Sequence, residues 1–157
     1  MKKICIRDAR ADDLREASAL CLRSKAHWGY DQVFIDACVE ALTLSPEVLE
    51  EAVVRVAVDG NGQIIGVCQV LGDADECWLD KLFIAPEAMG SGLGRKLFDE
   101  CVRIARTLQA RELVIASDPY AQPFYEKMGA VEEGKIASEA IAGRFLPRLV
   151  YRLQDTL

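Results

Sequence analysis

Met89-Gly90-Ser91-Gly92-Leu93-Gly94 sets three glycines at alternate positions, with Arg95 directly after them. Glycine lacks a Cβ, so such a run lets successive backbone N–H groups turn into one concavity, and a concavity of amides suits an anion. Ahead of it, Trp78-Leu79-Asp80-Lys81-Leu82-Phe83-Ile84 is rich in residues that favour strands. Behind it, Leu93, Leu97, Cys101, Ile104 and Leu108 recur at helical spacing. A strand, a glycine loop and a helix in that order add the free amides and the positive dipole end of the helix start to the cradle. The expected ligand is a phosphate or pyrophosphate.

Two nucleotide motifs can be tested against this spacing. A P-loop needs Lys and then Ser or Thr after its last glycine, but Gly94 is followed by Arg95-Lys96-Leu97, which leaves no hydroxyl for magnesium. A dinucleotide fingerprint begun at Gly90 needs its third glycine where Arg95 stands, and fits poorly. A glycine-rich turn that merely joins strand to helix is the plainer alternative.

Two further segments carry weight: Leu82-Phe83-Ile84-Ala85-Pro86-Glu87, and Asp118-Pro119-Tyr120-Ala121-Gln122-Pro123-Phe124-Tyr125-Glu126-Lys127-Met128-Gly129-Ala130. With the glycine loop they resemble the GNAT superfamily of acyl-CoA-dependent N-acyltransferases. In that family a strand ending in an aliphatic-aromatic-Val/Ile triplet leads to an Arg/Gln-x-x-Gly-x-Gly/Ala loop. An Asn-x-x-Ala…Tyr-x-x-x-Gly-Phe segment follows the next strand. The resemblance covers the last half of the chain closely and the first half mainly in element order. It departs at Met89, where a basic or amide residue is usual, at Asp118 in place of Asn, and at Ala130 in place of Phe.

The resemblance implies acetyl-CoA as co-substrate, with its pantetheine arm between two splayed parallel strands, here the Trp78 strand and the Val114 strand. Backbone groups of Leu82, Phe83 and Ile84 would face the arm. Met89, Gly90, Ser91, Gly92, Leu93, Gly94 and Arg95 would hold the pyrophosphate, with Asp118, Ala121 and Phe124 also at the cofactor. Tyr125 matches the tyrosine that protonates the leaving thiolate, against the alternative of a tyrosine simply packed on the sheet. Many relatives carry a glutamate base where this chain has Trp78. Asp80, two residues on and on the same face of an ideal strand, is the expected substitute, with Glu76 behind it. An Asp80 paired with Lys81 is the competing reading. His27, Trp28, Tyr30 and Asp31 fall where relatives build the acceptor pocket, and aromatic rings with a carboxylate suit an ammonium. Aromatic packing under a helix corner would account for them equally well.

Composition bounds the rest. A chain of 157 residues, 51% hydrophobic and 28% charged, suits a single globular domain spanning 1–157. No stretch reaches the ~20 apolar residues of a membrane span, and Met1 to Asp8 is too short in its apolar part for a signal peptide, so no membrane partner and a cytoplasmic location are expected. A net charge of −6 argues against nucleic acid and leaves room for a cationic small molecule. Cys5, Cys21, Cys38, Cys68, Cys77 and Cys101 are scattered singly, and His27 is the one histidine. That spacing favours small core hydrophobes in a reducing compartment over a metal site, and no metal is expected.

The elements follow in order. Ile4 and Ile6 alternate in a first strand, and Asp12 and Asp13 offer an N-cap to a helix through Ala26. A second amphipathic helix carries Phe34, Ile35, Cys38 and Leu42, and Ser45-Pro46-Glu47 reads as a short helix start. Val54, Val56 and Val58 begin an antiparallel meander that turns at Asp59-Gly60-Asn61-Gly62 and again at Gly72-Asp73-Ala74-Asp75 before the Trp78 strand. After the long helix, Glu112 to Ser117 is a strand parallel to the Trp78 strand, Pro123 to Met128 a short helix, and Val131 to Ile136 with Phe145 to Leu153 a closing strand pair. The expected fold is α/β with a mixed, mostly antiparallel twisted sheet, helices on both faces and one splayed parallel pair, as in the resembled family. The expected function is transfer of an acetyl group to the amine of a small-molecule acceptor. A noncatalytic acyl-CoA-binding sensor or interaction module on the same fold is the alternative, and a homodimer is left open.

Overall fold

The computed structural model describes residues 3–153. Met1 and Lys2, which open the segment weighed above as a leader, lie outside them. Seven strands form one sheet: β1 (Cys5–Asp8), β2 (Ala52–Val58), β3 (Ile64–Gly72), β4 (Cys77–Ile84), β5 (Glu112–Ala116), β6 (Val131–Ala137) and β7 (Phe145–Arg152), in the spatial order β1-β2-β3-β4-β5-β7-β6. The helices are α1 (Leu14–Ala26), α2 (Gln32–Leu42), α3 (Val48–Glu51), α4 (Leu93–Thr107) and α5 (Gln122–Met128). Neighbouring strands run antiparallel except β4 and β5, which are parallel and connected through α4. This is the mixed sheet that the element order predicts. Among the described residues no helix is long and apolar enough to cross a membrane.

The core explains why helices cover both faces. Every position of β3 from Ile64 to Val70 is buried, which one covered face cannot achieve in a strand whose side chains alternate. Gly66 marks the α4 face: a methyl group there would lie 2.7 Å from Leu97 Cδ1 and 3.3 Å from Leu93 Cδ2. Leu93, Leu97, Phe98, Cys101 and Ile104 form the buried stripe of α4. Each large apolar side chain so buried contributes about 1.5–3 kcal/mol, so packing more than propensity holds this helix. It ends where Gln109 takes φ 62 and Ala110 N donates to Ala105 O.

Two local expectations are corrected. Asp12 and Asp13 do not cap α1 directly: a 3₁₀ turn, Ala11–Asp13, precedes it, and the Asp13 carboxylate instead accepts from Arg10 N (2.8 Å) and the Arg7 guanidinium (2.7 Å). Ser45 and Pro46 lie in a turn, with Val48 N donating to Ser45 O, and α3 starts only at Val48. The Asp59 turn forms as expected, its carboxylate accepting from Asn61 N and Gln63 N at 2.9 Å each.

One irregularity bears on the site. Val70 pairs with Leu79 but Gln69 pairs with Lys81, so Asp80 sits in a β-bulge outside the ladder. Ile84 opposite Gly66, Leu82 opposite Cys68 and Leu79 opposite Val70 therefore share the α4 face. Strict alternation from Leu79 would have put Lys81 and Phe83 there instead.

Candidate active site

β4 and β5 are bonded only at Trp78↔Val114 and Leu79↔Ile115. Beyond that point they part, and the edge of β4 from Asp80 to Ile84 that faces β5 has no strand partner. The gap opens into a cleft of about 930 Å³. Leu82, Phe83 and Ile84 line one wall, Asp118, Ala121, Phe124 and Tyr125 another, and the glycine loop closes one end.

The three glycines of the loop act differently. Gly90 and Gly92 take φ +80 and +87, where a Cβ is unfavourable, while the flanking bonds Ser91 N to Ala88 O (3.3 Å) and Lys96 N to Gly92 O (3.2 Å) fix the turn. Gly94 is inside α4 with ordinary helical geometry. Its missing side chain matters because a methyl there would lie 3.2 Å from Phe124 Cε1. The amides of Gly90, Gly92, Gly94 and Arg95 have no acceptor among the described residues. They are four donors at the start of a 15-residue helix, open to an anion. Ser91 and Leu93 do not line the cleft. Ser91 Oγ donates to Ala88 O at 2.5 Å and accepts from Leu93 N at 3.4 Å, so both residues shape the loop from behind. Met89 and Arg95 border the cleft.

Tyr125 is buried in α5, 6% exposed, and edges Phe98 and Phe124 with ring centroids 6.1 and 5.2 Å away. Its hydroxyl has no hydrogen-bond partner among the described residues, and burial pushes its pKa upward, so it holds its proton through the neutral range. Asp80 lines the same cleft, one-third exposed, with its carboxylate 3.0 Å from Lys81 Nζ. Glu76 is exposed outside the lining and accepts from Trp78 Nε1 at 2.9 Å.

The expected acceptor cluster is rearranged. Asp31 is the N-cap of α2, accepting from Phe34 N at 2.9 Å, and His27 is an exposed residue at the end of α1 that touches Trp28. Neither lines the cleft. Trp28 does, stacked on Tyr120 at 5.4 Å. Tyr30 stacks on Phe34 at 3.9 Å, and Lys25 Nζ and the Arg144 guanidinium already lie 5.4 and 5.3 Å from its ring. The protein's own cations thus occupy the place at Tyr30 that an ammonium would take.

These residues converge on Asp118. Its carboxylate accepts from Lys25 Nζ at 2.5 Å, Tyr30 Oη at 2.9 Å and Tyr120 N at 2.8 Å, and Arg144 Nη2 stands 3.9 Å away. Burial alone would raise the Asp118 pKa, but the Lys25 hydrogen bond and charge, the Tyr120 amide and the Tyr30 hydroxyl outweigh it and hold it below the usual carboxylate range. Tyr30 moves the other way, pushed up to about 12 by burial and by the Asp118 carboxylate it donates to. Sequence reading did not single out Lys25, Tyr120 or Arg144. Tyr120 falls inside the segment quoted for its resemblance, whereas Lys25 and Arg144 meet Asp118 only through the fold. Among the described residues no group of three or more His, Cys, Asp or Glu is placed to hold a metal.

Comparisons with known proteins find the same fold in solved structures. PaiA N-acetyltransferase from Thermoplasma acidophilum, solved in complex with coenzyme A, shares the fold at TM-score 0.77 and 16% identity over 96% of this chain and 99% of that one. An acetyltransferase of the GNAT family from Staphylococcus aureus does so at 0.75 and 15%, over 97% and 100%. A chimera of the spermidine N-acetyltransferase SpeG from Vibrio cholerae and hSSAT does so at 0.69 and 22%, over 96% and 95%. The model of the acetyltransferase (GNAT) domain matches residues 11–140, most of the chain, and the protein belongs to the GNAT acetyltransferase family.

Proposed function

We propose that the whole chain is one N-acetyltransferase domain that moves the acetyl group of acetyl-CoA to the primary amine of a small molecule by direct attack. One arrangement carries this reading: a single cleft joins the free amides of the glycine loop, the unpaired edge of β4 and Tyr125, whose hydroxyl has no hydrogen-bond partner among the described residues. The amides suit the pyrophosphate of CoA, and the open edge of β4 suits the amide-bearing pantetheine arm. The amine nitrogen forms a bond to the thioester carbonyl carbon, the carbon–sulfur bond breaks, and the thiolate takes a proton. Tyr125 is the donor. An ordinary phenol (pKa ~10) to thiolate (~8.5) transfer is uphill by about 2 kcal/mol, and burial of Tyr125 makes it steeper. The transfer therefore accompanies rupture of the carbon–sulfur bond.

The amine must first lose its proton, since an amine of pKa ~10.4 is neutral in about one molecule in ~2,500 at pH 7. Asp80, at the bulge where β4 leaves β5, takes that proton directly or through water, with Lys81 holding its carboxylate in place. Five of the six cysteines are buried free thiols, which supports a reducing, cytoplasmic setting. The spermidine N-acetyltransferase among the similar structures supports a small amine as the acceptor class at the level of fold.

The test is an amine panel with acetyl-CoA and a thiol-release readout. Amine-dependent release with an N-acetylated product is expected. Tight CoA binding without amine-dependent release would favour a noncatalytic acyl-CoA sensor instead.

A further inference from the structure

Arg144 enters the cleft wall with most of its donors unused. Its guanidinium donates one side-chain hydrogen bond among the described residues, to Tyr30 Oη at 2.9 Å, and lies 4.8 Å from the centroid of the Phe34 ring. Asp118 is 3.9 Å away, beyond hydrogen-bond range, and its oxygens are already taken by Lys25, Tyr30 and the Tyr120 amide. A guanidinium has five N–H donors in a planar fork, and ring contacts fix its plane without consuming them. The charges around it do not balance. Lys25 and Arg144, with side chains 13% and 20% exposed, share the single carboxylate of Asp118. The cluster carries one net positive charge in a place largely shielded from water, an arrangement that favours a bound anion. Glu139, an acid at the same cleft, is exposed and forms no ion pair with either cation among the described residues. Asp80 is committed to Lys81.

Building on the N-acetyltransferase reading, we propose that the acceptor is an amine that also bears a carboxylate, an amino-acid-type compound whose carboxylate pairs with the free fork of Arg144. The fork matches the two oxygens of a carboxylate, and one negative charge neutralises the cluster. A dianionic phosphate fits less well, because its second charge would face Asp118. The ammonium end is then left for the part of the cleft that holds Asp80.

The experiment compares kcat/KM for a series of L-amino acids with that for their carboxamides, using acetyl-CoA and the wild type, Arg144→Met and Arg144→Lys. Wild type is expected to favour the carboxylates by about 30-fold or more, the range for a shielded charge pair. The ratio should collapse toward one in Arg144→Met, mainly through KM, and stand between in Arg144→Lys, which keeps the charge but loses the fork. Carboxamide acceptors lose their ammonium proton more readily, so a preference for carboxylates cannot arise from amine basicity. The inference is overturned if wild type prefers carboxamides or amines that carry no carboxylate, or if Arg144→Met leaves the ratio where it was. Absence of thiol release with every amine would remove the N-acetyltransferase reading itself, and this inference with it. Calorimetric CoA affinity, expected to be equal in all three proteins, separates loss of the acceptor contact from loss of the fold.

Discussion

At the scale of single residues, Tyr125 and Asp80 have opposite requirements, and their surroundings differ accordingly. As the proposed acid, Tyr125 has to keep its proton until sulfur departs. It is enclosed by Phe98 and Phe124, and burial favours its neutral form. Tyr125→Phe should lower kcat by about 10²- to 10⁴-fold, the usual worth of a positioned proton donor, with CoA affinity nearly unchanged by calorimetry. An unaltered kcat would return Tyr125 to a packing role. As the proposed base, Asp80 has to accept a proton, which calls for access to water and to the amine, and its side chain is one-third exposed. Asp80→Asn should cut turnover most near neutrality and recover at high pH, where the free amine needs no base. The same loss at every pH from 6 to 10 would mean that Asp80 only anchors Lys81.

Among the elements, the strand, loop and helix from β4 to α4 form the proposed CoA site. The amides of Gly90, Gly92, Gly94 and Arg95 are left without an acceptor among the described residues where two glycines accept positive φ and α4 begins immediately after them. Gly92→Ala should strain that turn by about 1–2 kcal/mol and reduce CoA affinity at least tenfold, because the amides are re-aimed. Isothermal calorimetry on the folded variant checks this, and an unchanged affinity would displace the anion site from the loop. Much of this was legible in the sequence. Glycine spacing, strand composition and helical periodicity are local signals, and the Asp118 to Ala130 segment located Tyr125. The bulge at Asp80 was not legible, since a shift in pairing depends on the partner strand, and alternation within β4 alone gives the wrong faces for Lys81 and Leu82. Asp31 had a readable signal, an Asp just before a helical run, and that cap is what it proves to be.

For the molecule as a whole, the Asp118 cluster ties together parts that the chain separates widely. It joins α1 through Lys25, the approach to α2 through Tyr30, the turn after β5 through Asp118 itself, and the β6–β7 connection through Arg144. Lys25 and Asp118 are 93 positions apart and Tyr30 and Arg144 are 114, so no window of sequence shows the cluster. The same cluster shapes the stability of the fold. The Asp118 carboxyl is held below its unfolded value of ~3.9, so its contribution is present above about pH 4 and is lost as pH falls through the folded value. Asp118→Asn removes the one carboxylate between two shielded cations. The expected cost at pH 7 is about 3 kcal/mol, at the low end for a broken buried pair because the cluster borders an open cleft. Urea unfolding should show that cost at pH 7 and a narrowing gap between variant and wild type toward pH 3, as the wild-type carboxylate begins to take up its proton. A variant within experimental error of wild type at pH 7, or a gap that does not narrow on acidification, would mean that the cation pair is stabilised by water and not by Asp118.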